Sequence, residues 1–260
     1  MAAQVVEIYG IQVIQQFFKT APEQCLEFFC VNATAENPAR LALLQDAEAL
    51  GIKAQPIRKT KLDQVTQGGV HQGVLARVRV TNLFGAKELK AQLENEASAV
   101  NQESAPLFLF LDGVTDPHNL GACLRTAEAV GVNGVVVPRR GAAPITSVVR
   151  KVACGAAERV NLYQVGSFVE YLKAGLDLGY QSVAMVADTQ ATSLYDLNLS
   201  VPTMLVLGAE GPGIRPKVIE ACSIKGTIPM QGALASVNVS VAAGIVLFET
   251  LRQRLSLKKD

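Results

Sequence analysis

From Pro106 to Met230 the chain returns five times to one device, a short apolar run followed by a stretch patterned for a helix. The runs span Pro106–Asp112, Gly134–Val137, Ser182–Ala187, Thr203–Leu207 and Gly226–Met230. An unbroken apolar run suits a strand covered on both faces, because a strand with one wet face alternates. Strands joined by helix-length connections run parallel, with helices over the sheet. Residues 105–260 are therefore expected to form an α/β unit on a parallel sheet, ending in a long helix over about Val237–Leu255. Runs such as Leu107–Leu111 and Met204–Leu207 fall far short of the roughly 18 apolar residues of a membrane span.

Upstream the pattern is different. Helical stretches at Gly10–Phe18, Pro38–Leu50 and Lys61–Gln67 alternate with extended ones at Leu26–Val31, Lys53–Arg58 and Gly73–Val80, which predicts a small α/β unit over residues 1–80. Residues 81–104 shift to Ala, Glu, Lys, Gln and Asn, as expected of a linker carrying a solvated helical piece. A chain of 260 residues, 49% hydrophobic, has enough apolar material for one large core and a satellite.

Several classes of function are poorly supplied. Cys25, Cys30, Cys123, Cys154 and Cys222 include no C-x-x-C pair, so they read as reduced core thiols of a cytoplasmic protein. His71 and His118 alone give little material for a metal site or a His-based triad, so no metal is expected. The first nine residues carry Glu7 and no basic residue, unlike a secretory signal, and the protein is expected to be soluble, with no membrane partner. A net charge of +1 does not announce a nucleic-acid binder, yet basic residues cluster. The clusters are Arg58, Lys59 and Lys61; Arg77 and Arg79; Arg139 and Arg140; Arg150 and Lys151; and Arg252, Arg254, Lys258 and Lys259.

Ligands of parallel α/β sheets bind beyond the C-terminal strand ends, which directs attention to three loops. The first, Asp112–Thr126, brings Asn119 to the start of a helix and Arg125 to its second turn. In a purely structural role Asn119 would cap that helix and Arg125 would pair with Glu128. The second, Leu207–Arg215, packs three glycines into six residues around the single carboxylate Glu210. It is neither a P-loop nor a dinucleotide fingerprint. The third, Ile228–Gly244, holds Ser236, a candidate helix cap, and Asn238, an amide in the first turn of an otherwise apolar helix.

These segments resemble the three signature motifs of the SpoU (TrmH) branch of the SPOUT methyltransferases. The motifs are Asn119-Leu-Gly-Ala-Cys-Leu-Arg125, Gly208-Ala-Glu-Gly-Pro-Gly213, and Ile228-Pro-Met230 with Ser236-Val-Asn-Val-Ser-Val241. The likeness extends to Ile8-Tyr-Gly-Ile11 and Gly69-Val-His-Gln-Gly73, and within the branch it is greatest to the bacterial enzymes that methylate a guanosine 2'-hydroxyl in the P loop of 23S ribosomal RNA. It implies a C-terminal domain with a deep trefoil knot, an L30e-like RNA-binding domain before it, S-adenosylmethionine as donor and a homodimer. The donor would be held by backbone groups at Gly208, Ile228, Met230 and Val237; family members often carry Leu where this chain has Val237.

A ribose hydroxyl is a poor nucleophile, so such a site must place it in line with the methyl and stabilise the developing alkoxide. The resemblance implies that role for Arg125. A guanidinium with a pKa above about 12 is a poor base, so Arg125 is expected to act as a cation on phosphate and alkoxide. Asn119 and Glu210 would orient it or the ribose, while Ser236 and Asn238 would bond the substrate. The resemblance further implies that Arg125 of one chain serves the cofactor of the other. Other readings are methylation of another ribosomal or transfer RNA nucleotide, a non-catalytic ribosome assembly factor, and a nucleotide-dependent dehydrogenase.

Overall fold

Residues 4–31, 37–80, 83–99 and 105–257 are described in the computed structural model of the protein. They divide into two units, one formed by the described part of Met1–Asn82 together with Pro144–Arg159, the other by the described part of Leu83–Ala143 with Val160–Asp260.

The first unit runs β1 (Gln4–Tyr9), α1 (Ile11–Thr20), β2 (Cys25–Cys30), α2 (Pro38–Ala49), β3 (Ala54–Pro56), α3 (Lys59–Val65) and β4 (Val74–Val80). Its sheet has the order β1-β4-β2-β3, antiparallel except for the β2/β3 pair. Strand β1 was not anticipated from sequence. Helix α1 buries Ile11, Val13, Ile14, Phe17 and Phe18, the spacing of one helical face. They share a core with Ile8, Phe28 and Leu43, where the Phe18 and Phe28 rings meet edge to face at 5.3 Å. Asn37 accepts from the Arg40 backbone N–H and, with Pro38 at the first helical position, sets the start of α2.

The second unit comprises β5 (Leu83–Phe84), α4 (Ala86–Ser98), β6 (Leu107–Asp112), α5 (Pro117–Val130), β7 (Gly134–Pro138), β8 (Leu162–Val165), α8 (Phe168–Asp177), β9 (Gln181–Met185), β10 (Thr192–Ser193), β11 (Thr203–Gly208), α9 (Pro216–Glu220), β12 (Ile224–Thr227) and α10 (Val239–Leu257). Its eight strands lie in the order β10-β12-β9-β11-β6-β7-β8-β5, every pair parallel. The α/β class with a parallel sheet is thus as expected, and β6 is buried at every residue. Strand β8 lacks the apolar run of its neighbours, being four residues long and holding Gln164. The chain between β7 and β8 contains α6 (Ser147–Ala153) and α7 (Ala156–Arg159), which touch α1 and group with the first unit.

Three expectations need correction. The helical piece of residues 81–104 is not solvated: α4 buries Leu89 and Leu93 in the core of the second unit, against Phe108, Phe168 and Tyr180, and the Tyr180 hydroxyl donates to the Leu93 carbonyl. Residues 81–82 and 100–104 lie outside the described residues. The five cysteines are not all core thiols, since Cys154 is exposed and Cys25 and Cys222 are half-buried. Burial pushes the Cys123 thiol up to about 12, which keeps it protonated and unreactive. The basic clusters are also thinner than counted. Arg77 pairs with Glu7 and Glu27, Arg150 with Glu158, and Arg252 with Glu249. Arg254 donates to the carbonyls of Leu199, Val201, Ala105 and Pro106, and burial lowers its pKa to about 10. Lys258 and Lys259 lie outside the described residues.

Phe110 is fully buried at the centre of β6, its ring edge to face with Phe168 at 5.2 Å. Phe110→Ala leaves a cavity beneath the sheet and is expected to lower stability by about 3–5 kcal/mol, measured by denaturant titration.

Candidate active site

Three neighbouring strands of the second unit, β9, β11 and β12, end at Met185, Gly208 and Thr227. The chain beyond each contributes to one cavity of about 550 Å³, lined by Met185–Ala187, Leu207–Ile214, Thr227, Ile228 and Met230 and closed by Ala235–Val239 with Ala242. That size and its largely apolar wall suit a nucleoside-sized ligand, with a few polar groups to orient it.

Gly208 is a glycine because of what crosses it. A Cβ there would sit 2.1 Å from the carbonyl carbon of Gly213 and 2.2 Å from the nitrogen of Ile214, so the returning arm of the loop passes directly over this residue. The arm folds back through Gly211 and Gly213, with φ of 82° and 68°, and Gly213 N–H donates to the Ala209 carbonyl at 3.0 Å. The loop thereby presents backbone to the cavity and sends out one charged side chain, Glu210.

Glu210 belongs to a cluster drawn from all three loops. Asn119 Nδ2 donates to Glu210 Oε1 at 3.3 Å, and Asn238 Nδ2 donates both to the same carboxylate oxygen and to Asn119 Oδ1, the latter at 3.0 Å. The orientation of the Asn238 amide follows from its other end, where Oδ1 accepts from the Ser240 backbone N–H at 2.8 Å and from Ser240 Oγ at 2.6 Å. A backbone N–H can only donate, so Oδ1 faces the helix and Nδ2 faces Glu210. Asn238 therefore caps α10 while holding the carboxylate. It is exposed, and its side chain is bonded to Glu210, Asn119 and Ser240.

These bonds revise two capping roles. Helix α5 begins at Pro117 with Asp116 as its cap, accepting from His118 N–H at 3.0 Å, which places Asn119 inside the first turn. Helix α10 begins at Val239, and its cap is Asn238 rather than Ser236. Of the nine residues expected at the site, Gly208, Glu210, Ile228, Met230, Ser236, Val237 and Asn238 line the cavity, and Asn119 joins them through Glu210 and Asn238. Arg125 does not. It stands exposed on α5, outside the cavity lining, and its side chain makes no hydrogen bond or ion pair to any described residue. Six residues along a helix turn the chain by about 240°, so Arg125 and Asn119 leave α5 from different faces.

The walls from Met185–Ala187, Ile219 and Ala242 were not anticipated. Small and aliphatic residues carry no chemical signature; only their position just after a strand or early in a helix could have marked them.

The family description "SpoU rRNA Methylase family" matches residues 106–248, and "RNA 2'-O ribose methyltransferase substrate binding" matches residues 8–82. The chain is 44% identical over 252 residues to the 23S rRNA (guanosine-2'-O-)-methyltransferase RlmB of Haemophilus influenzae, an alignment covering 96% of this chain and 98% of that protein. It is 42% identical over 250 residues to the protein of the same name from Haemophilus ducreyi, again covering 96% and 98%. Among solved structures, the SpoU methyltransferase AviRb of Streptomyces viridochromogenes in complex with AdoMet shares the fold, with a TM-score of 0.73 and 21% identity over 97% of this chain and 91% of that one. With both halves matched by these descriptions and relatives aligned almost end to end, this chain belongs to the SpoU rRNA methylase family.

Proposed function

We propose that the protein transfers the methyl group of S-adenosylmethionine to the 2'-hydroxyl of a guanosine ribose in the P loop of 23S ribosomal RNA. The observation that carries this reading is the cavity at the ends of β9, β11 and β12, edged by the Asn119, Glu210 and Asn238 cluster. The residues present fit the donor: backbone at Gly208, Ile228, Met230 and Val237 would hold it, beside the apolar side chains of Val186, Ile214 and Ile219. When bound, it supplies a methyl on a sulfonium whose departure as a neutral thioether needs no metal.

The chain's own groups then handle the acceptor. Glu210, fixed by two amides, orients the ribose or the arginine that acts on it, and Ser236 and Asn238 hydrogen-bond the RNA. Arg125, with its planar fork unengaged, grips the neighbouring phosphate and stabilises the alkoxide, the proton leaving to phosphate or water. Because Arg125 leaves α5 away from Asn119, we place it in the active site of a second copy. Helix α10 supports such a homodimer: Val241, Phe248 and Leu255 recur every seven residues and are each about half exposed, a stripe that a partner would cover.

Residues 1–80 serve in this reading as an L30e-like RNA-binding domain, with exposed Arg58, Lys59 and Lys61, and residues 105–260 as the methyltransferase domain, which α4 extends across the 81–104 connection. Exposed Arg139 and Arg140 follow β7 and add RNA contacts. The end of the chain would pass through the loop it packs against to form a trefoil knot. Support comes from Gln253, which donates to the Leu197 carbonyl and accepts from Leu199 N–H, and from Arg254 on the next carbonyls. In this reading the protein works in the cytoplasm, on ribosomal RNA.

The test is methylation of 23S RNA transcripts with labelled S-adenosylmethionine, followed by mapping of ribose methylation. One P-loop guanosine is the expected product; a methyl on another nucleotide would overturn the target, and none on any RNA would overturn the activity. Gly208→Ala forces the crossing arm away at a cost of about 1–3 kcal/mol. It should weaken S-adenosylmethionine binding, measured by calorimetry, by about tenfold or more.

A further inference from the structure

We infer that Asp112 and Arg215 form a clamp that positions the donor loop and the Glu210 carboxylate, an inference that rests on the methyltransferase reading above. Asp112 closes β6 with its carboxylate buried, 1% exposed, which is costly unless donors surround it. Arg215 supplies them. Its backbone N–H reaches Oδ2 at 2.9 Å, Nε reaches Oδ1 at 2.8 Å and Oδ2 at 3.1 Å, and Nη2 lies 2.7 Å from Oδ1. The guanidinium carbon also sits 5.8 Å from the centre of the Phe168 ring, which holds the plane of the fork.

The other end of the loop is tied to the same residue. Gly208 pairs with Asp112 across β11 and β6, and the next backbone N–H, that of Ala209, donates to the Asp112 carbonyl at 2.9 Å. The segment Ala209–Arg215 therefore leaves Asp112 through a main-chain bond and returns to it through a charged fork. Everything it carries toward the cavity, including the arm over Gly208 and the Glu210 side chain, lies between those two ties. Asp112 also precedes Gly113, whose φ of 78° starts the loop leading to Asn119. One residue thus fixes the spacing between the first and second motifs, and with it the bond from Asn119 to Glu210. A buried ion pair is a weak source of stability, since apolar replacements often match it. Its placement at the junction of two ligand loops gives it a different use. Both residues are positioning residues, since neither lines the cavity.

The experiment compares full-length wild type, Asp112→Asn, Arg215→Lys and the double variant for S-adenosylmethionine affinity by calorimetry, KM for donor and for RNA, and Tm. Asp112→Asn should weaken donor binding by about tenfold to a hundredfold, the scale set by a displacement of about 1 Å at a site. Arg215→Lys, which keeps the charge and the backbone bond but loses the fork, should lie between it and wild type. The double variant should be no worse than Asp112→Asn alone, because the two act through one contact. KM for RNA should change less than donor affinity, since Arg125, Ser236 and Asn238 lie outside the clamped segment and only Glu210 moves with it. A lowered Tm with unchanged donor affinity in both single variants would make the pair merely structural and overturn the inference. If Asp112→Asn fails to fold, Arg215→Lys alone decides. Wild type that binds no donor would sink the methyltransferase reading and the clamp together, whereas wild type that binds it as well as both variants do would sink the clamp alone.

Discussion

Arg125→Ala is expected to reduce methyl transfer by about a hundredfold to a thousandfold, the loss typical when one preorganised stabiliser of developing negative charge is removed. Donor affinity should change by less than about twofold, which is negligible beside the tenfold that corresponds to about 1.4 kcal/mol. The reason is spatial. Arg125 lies outside the cavity lining and its side chain bonds to no other described residue, so its truncation disturbs neither the pocket nor the Asn119, Glu210 and Asn238 cluster. It is exposed on α5, so the fold loses little. Arg125→Lys should fail nearly as badly, because a point ammonium cannot span two oxygens as a planar fork does. Single-turnover rates with donor binding measured separately decide the matter. A collapse of donor affinity in Arg125→Ala would move this arginine into the donor site, and an unimpaired rate would remove it from the reaction.

What could be read from the residues, and what could not, follows from the range of each signal. The apolar runs of β6, β9 and β11 announce themselves because a strand buried on both faces needs every residue to be apolar, which is a local requirement. The glycines around Glu210 are also local, since each answers to the turn in which it sits. Helix α4 carries no such local signal: Leu89 and Leu93 make a single apolar pair among Ala, Glu, Lys and Gln, and only the tertiary partners Phe108 and Phe168 show that the pair is core. Arg254 and Arg77 looked like members of basic patches because the carbonyls and carboxylates that occupy them lie between 50 and 149 residues away. The bond between Asn119 and Asn238 spans 119 residues and has no periodicity to betray it. The rule that ligands bind beyond strand ends brings their three loops to one crevice, but not the bonds between these side chains. The resemblance names Arg125 and implies that it serves the other chain's cofactor, whereas the face from which it leaves α5 is visible only in the fold.

The orientation of Arg125 makes the dimer testable by complementation. Arg125→Ala and Asn238→Ala homodimers should each be nearly inactive, the first for want of the alkoxide stabiliser, the second because Asn238 both caps α10 and holds Glu210. In a heterodimer of the two variants the outcome depends only on which chain supplies which residue. If Arg125 serves the partner's cavity, one site combines both losses and the other has neither, so a purified, differently tagged heterodimer should recover about half the wild-type rate, a rise of about fiftyfold or more over either parent if each loss is about a hundredfold. If Arg125 serves its own cavity, each site keeps one defect and no rate returns. Asn238→Ala also loses a helix cap worth about 1 kcal/mol. The donor affinity of the heterodimer must therefore be measured alongside, so that an intact site is counted by binding as well as by rate. A heterodimer that binds S-adenosylmethionine at its unaltered cavity and remains inactive would show that Arg125 acts in its own chain, reached by a movement of α5, and the stripe of Val241, Phe248 and Leu255 would then have no part in assembling the site.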